Sequence, residues 1–530
     1  MIAQRALWAI VIFGALLRIV PIWFGLPYPH ARPDEETTIG HAVAVLGGDL
    51  NPHFFHWPSL IFYVLAVLFA AASWIRAALS LDPTLTPEQH VLIARAFVAV
   101  SGTVTLVVLF GIGRRMADST VGLLAALFLA VAILHVRESH FAMTDVVMTL
   151  LLTVSLAMLL RGLDAGEEML AGRLYHVRWF ALAGLAGGLA TSTKYSAAAV
   201  VAAMAAAQLL LLVRHRSSQS LSWPAAWLPS AAFMAAFAAA FVATTPYALL
   251  DQKQFASDFQ FNVSHLAEGH VGDFGRGWTY HLLRSLPYGA GVATFVAAIA
   301  GVVPLARHYR QHALIVGACA VALYLSIGSG RTVFFRYALP LIPIVCLAAA
   351  ASVKHLGAWL APRAGLSLGA SVGLLAALVA LPAAVNSTWF DLLLARTDTR
   401  VLAAEWLLAH AQPEQTLFEA PDPYTELDLR GARLHSWRFD ARTTSFVDAG
   451  GRMPDWLVLH ESPLWTYARI PSELRRIAAR DYELMQTVRA TKGAARSAVY
   501  DLQDAFFMPL SGFTTVERPG PTILIYRRLP

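Results

Sequence analysis

The sequence is poor in charge and in the side chains that usually carry reactivity. Of its 530 residues only 14% are charged, with two cysteines, Cys319 and Cys346, and four lysines, Lys194, Lys253, Lys354 and Lys492. So little charge over this length excludes an ordinary soluble globular protein. Both cysteines lie inside apolar runs, which excludes a disulfide framework and makes them packing residues. The net charge of +6 is spread over short loops with no basic stripe interleaved with aromatics, so no nucleic-acid partner is expected. No metal ligand set is expected among the histidines. There is no internal repeat and no low-complexity segment.

What is abundant is apolar sequence, 57% of the chain, in runs that recur from residue 6 to about residue 386. This reads as a polytopic α-helical membrane protein. Ala6–Leu26 lacks a small-residue cleavage site, with Trp23, Phe24 and Pro27 where one would stand, so it is expected to be a retained helix. Pro58–Leu79 is apolar enough to span, but spanning would put Arg114 and Arg115 on the wrong side for the positive-inside rule. If it folds along or re-enters the outer surface, the basic loops at Arg114/Arg115, Arg161–Arg178, Arg214/Arg216, Arg307/Arg310 and Lys354/Arg363 share the cytoplasmic side. The remaining spans are Val91–Gly113, Val121–Val136, Val146–Leu160, Trp179–Thr191, Ala197–Val213, Ala225–Leu250, Leu286–Leu305, Ala313–Gly328, Phe334–Ser352 and Leu366–Val385, giving about eleven transmembrane helices with the N-terminus inside.

Residues 1–385 thus form a membrane domain whose first outer loop is 27–57. From Asn386 charge becomes frequent and apolar runs shorten. A helix over Thr399–Ala411 and strands at Thr416–Glu419, Trp456–His460, Glu483–Val488 and Thr522–Tyr526 predict a small mixed α/β extracytoplasmic domain, 386–530, with no catalytic role expected.

This topology gathers polar residues at the outer face: Asp34 and Glu35 in the first loop, Arg137, His140 and Asp145 before one helix, Lys194 and Tyr195 at a helix break, and Arg331 and Arg336 before another helix. Asp251–Arg284 forms a long outer loop. A lysine at membrane depth costs about 2.5–3.5 kcal/mol on insertion scales and usually has a partner or ligand, although one near the interface can snorkel. Asp34 and Glu35 point opposite ways if the segment is extended, which makes them a poor matched acid/base pair. Asp145 can cap the helix it precedes. Arg331 and Arg336 suit an interfacial anchor or a bidentate clamp on phosphate. His53 and His56, three apart, read as loop structure.

Arg32-Pro33-Asp34-Glu35, Asn51–Leu60, Arg114-Arg115, Ser139–Asp145, Gly188–Tyr195 and Phe335–Pro340, in this order, resemble the GT-C membrane glycosyltransferases, above all bacterial members of the protein O-mannosyltransferase and lipid A aminoarabinose transferase group. The likeness covers roughly residues 1–385. It implies a polyprenyl-phosphate-linked sugar donor and a catalytic aspartate in the first outer loop, here Asp34. The chain departs from the eukaryotic mannosyltransferases in lacking their large luminal insertion. It also has His56-Trp57-Pro58-Ser59-Leu60 where the aminoarabinose enzymes typically carry Lys-Pro-Pro-Leu.

The resulting expectation is a single inverting displacement at the anomeric carbon in a bacterial-type inner membrane. Asp34 acts as general base. Lys194 and Arg336, with Arg331 as a second candidate, stabilise the lipid-phosphate leaving group. Glu35 and Asp145 orient the acceptor or hold the cations, and Arg137, His140, Tyr195 and His56 are candidate donor or acceptor contacts. The partners are the lipid-linked donor, a lipid, glycan or protein acceptor, and the bilayer. No cofactor is implied, and the use of a divalent metal is left open. The rival reading is a transporter or flippase for an anionic lipid, using Lys194 and the arginines to bind phosphate in passage.

Overall fold

The computed structural model describes all residues except Met1, Pro29, 166–176, 219–222, 420–423, 430–434, 441, 448–451 and 494–496. The interior of the expected Arg161–Arg178 loop therefore lies outside the described residues. The chain divides into two compact units: Met1–Ile22 with Thr37–Thr388, and Trp23–Glu36 with Trp389–Pro530. The segment Trp23–Glu36, expected as the end of the first membrane helix and the start of the first outer loop, groups with the C-terminal residues.

The first unit is helical. Its elements begin with α1 (Ile2–Ile19), α2 (Glu35–Leu46, in this unit from Thr37), α3 (Leu60–Ala78), α4 (Pro87–Met116), α5 (Ser119–Val131), α6 (Ile133–Glu138), α7 (Thr144–Ala165), α8 (Val177–Thr191) and α9 (Val200–Ser218). They continue with α10 (Trp223–Thr244), α11 (Tyr247–Leu250), α12 (Gln252–Glu268), α13 (Gly277–Tyr280), α14 (Leu286–Ala290), α15 (Val292–His308), α16 (Arg310–Ser329), α17 (Ile342–Leu360) and α18 (Leu368–Leu394, in this unit to Thr388). Among the described residues eight helices, α3 included, are long and apolar enough to cross a membrane, or nine if the pair bent by 114° at Gly291 is one span.

Several expected spans are shorter or broken. The first stops at Ile19, because Pro21 lacks the N–H to continue the ladder. The run 121–136 splits at Ala132 into α5 and α6. The carbonyls freed by that break are not left bare. Arg18 donates to Leu129 O at 2.9 Å and to Ala130 O at 3.0 Å, and Ser387 Oγ donates to Val131 O at 2.8 Å. The run 225–250 breaks before Tyr247 at Pro246, and Phe335–Leu341 forms a 3-10 turn ahead of α17. The expected loop 251–284 holds a 17-residue helix, α12, whose N-cap is Asp251.

Helix α8 packs on α10 through Gly184 and Gly188. A Cβ at either would stand 2.1 Å from Phe233 O or 2.3 Å from Phe237 O, so only hydrogen fits there.

Polar contacts fix which helix ends meet. Arg115, at the end of α4, pairs with Asp164 at the end of α7 at 2.8 Å, and His312, at the start of α16, lies 2.7 Å from the same carboxylate. Arg214, late in α9, donates to Leu163 O at 2.9 Å, and Lys354 pairs with Asp118 at 2.8 Å. This is the basic end of the bundle. Helix α4 therefore starts at the opposite end. Helix α3 starts at that opposite end too, because Leu60 N donates to Ser192 O, beyond the end of α8, at 3.1 Å. The middle of α3 meets the first turn of α4, with Phe69 and His90 rings 4.6 Å apart.

The second unit is built on a five-stranded sheet of order β2-β1-β5-β7-β6, from β1 (Thr416–Glu419), β2 (His435–Trp437), β5 (Trp456–Glu461), β6 (Tyr482–Val488) and β7 (Thr522–Arg528); β3 (Phe439–Asp440) and β4 (Ser445–Phe446) pair separately. β1 runs parallel to β2 and β5, whereas β7 is antiparallel to β5 and β6. Trp456 and Val458 of β5 pack with α19 (Thr399–His410), and Leu457 and Leu459 pack with α20 (Ser472–Asp481) on the other face. Burial on both faces explains the unbroken apolar reading of β5. Helix α20 was not expected from the sequence, although its buried residues Leu474, Ile477 and Ala478 have helical spacing.

Candidate active site

The helix breaks at the end opposite the basic one open a cavity of about 250 Å³ in the first unit. Asp145 reaches it from the first turn of α7, Lys194 and Tyr195 from the break between α8 and α9, and Tyr337 from the 3-10 turn before α17. His56 enters from the segment ahead of α3, and Asn262 and Phe259 from α12. After Thr191 the chain leaves the helix, held by a 2.6 Å contact between the Ser192 and Thr245 hydroxyls, and Lys194 takes an extended conformation before a 3-10 turn begins at Tyr195. That excursion aims a long cationic side chain into the cavity instead of along a helix.

Lys194 Nζ donates to Asp145 Oδ1 at 2.6 Å and lies 4.9 Å from the centre of the Tyr337 ring. Asp145 is buried, whereas the Lys194 side chain is 22% exposed. The carboxylate fixes the ammonium without closing it off, since an ammonium has three donors. Asp145 is the second residue of α7, and it holds Lys194 where the sequence reading also allowed a helix cap. Tyr195 Oη donates to Phe55 O at 2.9 Å, and Asn262 Nδ2 donates to His56 O at 2.7 Å, so the segment before α3 is tied to both α9's entry and α12. The His56 ring stands edge-on to Phe54 and Phe261, and its buried Nδ1 has no hydrogen-bond partner among the described residues.

The rest of the wall is mostly apolar, Met148, Val263, Leu266 and Ile327, with Ser196 and Ser326 between them. Phe259 and Val263 belong both to this wall and to the exposed surface, at 42% and 56% exposure. The cavity therefore joins a fixed cation to an apolar exit, an arrangement matched to an anionic head with a hydrocarbon tail.

Other expected site residues lie elsewhere. Arg331 is half exposed, 3.9 Å from Asp273, and is not part of the cavity wall. Arg336 precedes Tyr337 but is itself buried, its guanidinium 4.1 Å over the Phe334 ring. It is close enough to α12 that burial first, and its charge second, hold His265 below the usual histidine range. Arg137 is buried on α6 in an ion pair with Glu138. The His140 ring nitrogens lie 3.0 and 3.2 Å from Val136 O and Val20 O, so this histidine braces backbone. Asn262 and Phe259 were missed because α12 was read as loop. Its signal was Asp251 as N-cap and the Phe255/Phe259 spacing.

The acidic stretch belongs to the second unit up to Glu36. It is not extended as expected: Asp34 has φ +70, and α2 begins at Glu35. Glu35 is buried and Asp34 partly exposed, so the two carboxylates do occupy different surroundings. Burial raises the Glu36 carboxyl above the usual range, and its Oε2 has no hydrogen-bond partner among the described residues.

Residues 84–243 match the model of the family described as dolichyl-phosphate-mannose-protein mannosyltransferase. That stretch contains Arg137, His140, Asp145, Lys194 and Tyr195. No curated protein matches the sequence. Among solved structures the chain is similar to the oligosaccharyltransferase of Archaeoglobus fulgidus, at 12% identity over 78% of this chain and TM-score 0.49, and it spans 58% of that chain's length. It is similar to ArnT from Cupriavidus metallidurans bound to undecaprenyl phosphate, at 14% identity over 98% of both chains and TM-score 0.47. It is also similar to the protein O-mannosyltransferase complex Pmt1–Pmt2 of S. cerevisiae bound to its sugar donor, at 19% identity over 50% of this chain and 34% of that one, with TM-score 0.36.

Proposed function

We propose that this protein transfers a sugar from a polyprenyl-phosphate donor to an acceptor hydroxyl by a single inverting displacement. The observation that carries the reading is Lys194, fixed by Asp145 at 2.6 Å in a cavity whose apolar wall continues to the surface. The donor phosphate sits against the Lys194 ammonium, with its hydrocarbon leaving along Phe259 and Val263. Negative charge grows on that phosphate as the anomeric bond breaks, and a preorganised cation there lowers the barrier. Arg336, buried beside Tyr337, and Arg331, half exposed, are the second-cation candidates of this reading, and neither lines the cavity. The match of residues 84–243 to a family described by its dolichyl-phosphate-mannose donor agrees with this donor class.

Asp34 is the base in this scheme. Its support is the sequence resemblance, its partial exposure beside a buried Glu35, and a left-handed backbone of the kind that clusters at functional sites. The same reading places the cavity end outside a bacterial-type inner membrane, because Arg115, Arg214 and Lys354 gather at the other end. The contact between mid-α3 and the first turn of α4 supports an α3 that stays near the cavity end.

The test is transfer from a purified polyprenyl-phosphate sugar in detergent by the parent and by Lys194→Met. Loss of one charged partner to phosphate is expected to cost about 1.5–3 kcal/mol, a loss of about 10- to 150-fold in kcat/KM, at unchanged expression. Unchanged kinetics would return Lys194 to a snorkelling role.

A further inference from the structure

We infer that the C-terminal unit is the holder of the reactive loop, and that the buried pair Arg32–Asp504 positions Asp34. The inference rests on the base assignment above and extends it to residues expected to have no catalytic part. Arg32 Nη1 donates to Asp504 Oδ1 at 2.7 Å, across 472 residues of sequence. Both side chains are almost completely buried, at 0% and 2% exposure. Around them Phe24 meets Phe506 edge-on with ring centres 5.9 Å apart, and the Arg32 guanidinium lies 5.9 Å from the same Phe506 ring.

A second anchor lies upstream. Arg400 grips Asp398 with two donors, at 2.9 and 2.7 Å, and its guanidinium stands 4.5 Å over the Tyr28 ring. Its Nη1 also donates to Tyr424 O at 2.5 Å and to His30 O at 3.5 Å, binding loop backbone to the C-terminal unit. The loop is compact within itself. Gly25 has φ +73, and a Cβ there would stand 2.1 Å from the Ala31 Cβ.

These contacts leave Asp34 little freedom. Arg32 is pinned two residues before it, Pro33 fixes the intervening φ, and Glu35 is buried at the start of α2. A general base must stay within hydrogen-bond reach of its proton, and misplacement by about 1 Å can cost 100-fold in rate. A bare structural ion pair predicts something different, namely that activity follows stability. The two readings separate because a buried ion pair can often be replaced by apolar residues of similar volume without loss of stability, whereas removing one partner is strongly destabilising.

The experiment uses the full-length protein in detergent, with Tm, donor KM and kcat measured for Asp504→Asn and for the double variant Arg32→Met/Asp504→Leu. Asp504→Asn is expected to lose both Tm and kcat. The double variant is expected to recover Tm but to keep a kcat at least 10-fold below the parent at unchanged donor KM. Recovery of kcat together with Tm overturns the inference. The third arm adds Asp34→Asn to the double variant. If Arg32 acts through Asp34, the combination is no slower than Asp34→Asn alone; multiplied losses overturn the positioning role. Near-normal turnover by Asp34→Asn defeats the base assignment alone, and a low kcat in the Tm-matched double variant would still tie turnover to the anchorage of this loop.

Discussion

At the scale of single residues, two carboxylates next to each other stand in different surroundings. Asp34 is left-handed and partly exposed, and Glu35 is buried. Asp34→Asn keeps size and most hydrogen bonds but cannot accept a proton at neutral pH, so turnover should fall by about 100- to 10,000-fold with donor affinity retained. Glu35→Gln should be the milder change, and near-normal transfer by Asp34→Asn beside a dead Glu35→Gln would move the base one residue on. Glu36 adds a pH dependence. Its folded carboxyl titrates above the unfolded one because of burial. The folded state therefore holds the proton more tightly, and stability falls as pH rises from the ordinary glutamate range through the raised folded value. Glu36→Gln should remove that loss. The Tm gain of the variant over the parent should be small near pH 4 and larger near neutrality; an equal gain at both would assign the effect to packing.

At the scale of elements, the site is made by interruptions. Lys194 reaches the cavity because α8 stops at Thr191 and a 3-10 turn follows, and Tyr337 because α17 is preceded by another such turn. The position of α8 depends on its glycine contact with α10. Gly188→Val would press a side chain into Phe237 O, where a Cβ alone would stand at 2.3 Å. Overpacking of this kind costs about 1–3 kcal/mol. A lower Tm is expected, with a loss of transfer at temperatures where the variant is still folded, because the Lys194 break sits at the end of the displaced helix. A variant with parental Tm and kinetics would mean that α8 and α10 separate without moving the site.

At the scale of the molecule, the basic end and the cavity end of the helical unit are opposite, which makes topology testable. The proposed orientation puts the chain's C-terminus outside the cytoplasm. A reporter that is active only in the cytoplasm, fused after Pro530, should remain inactive; activity there would reverse the proposed orientation of the cavity. The same scale carries the part proposed for the C-terminal unit. Residues 23–36 cluster with 389–530 and not with the helices on either side of them in sequence.

The sequence alone determined the class of the molecule, because apolar run length and charge poverty are one-dimensional properties. It also determined the helical elements in outline, the four main C-terminal strands and Thr399–His410, whose periodicities are local. It singled out Lys194 and Tyr195, since an ionisable residue at a break in an apolar run is visible without coordinates, and it named Asp145, also a possible helix cap, and His56, otherwise read as loop structure, among the candidates. Helix boundaries were less legible where a buried side chain such as Arg18 could satisfy the carbonyls of a broken turn from elsewhere in the chain. Tertiary structure decided which polar residues meet. It put Arg137 and His140 to bracing, left Arg331 at the surface, and brought in Asn262 from a stretch read as loop. It also joined Arg32 to Asp504 across 472 residues. The physical reason is that such pairs are chosen by burial and by which ends of the chain pack together, and no local pattern of residues encodes either.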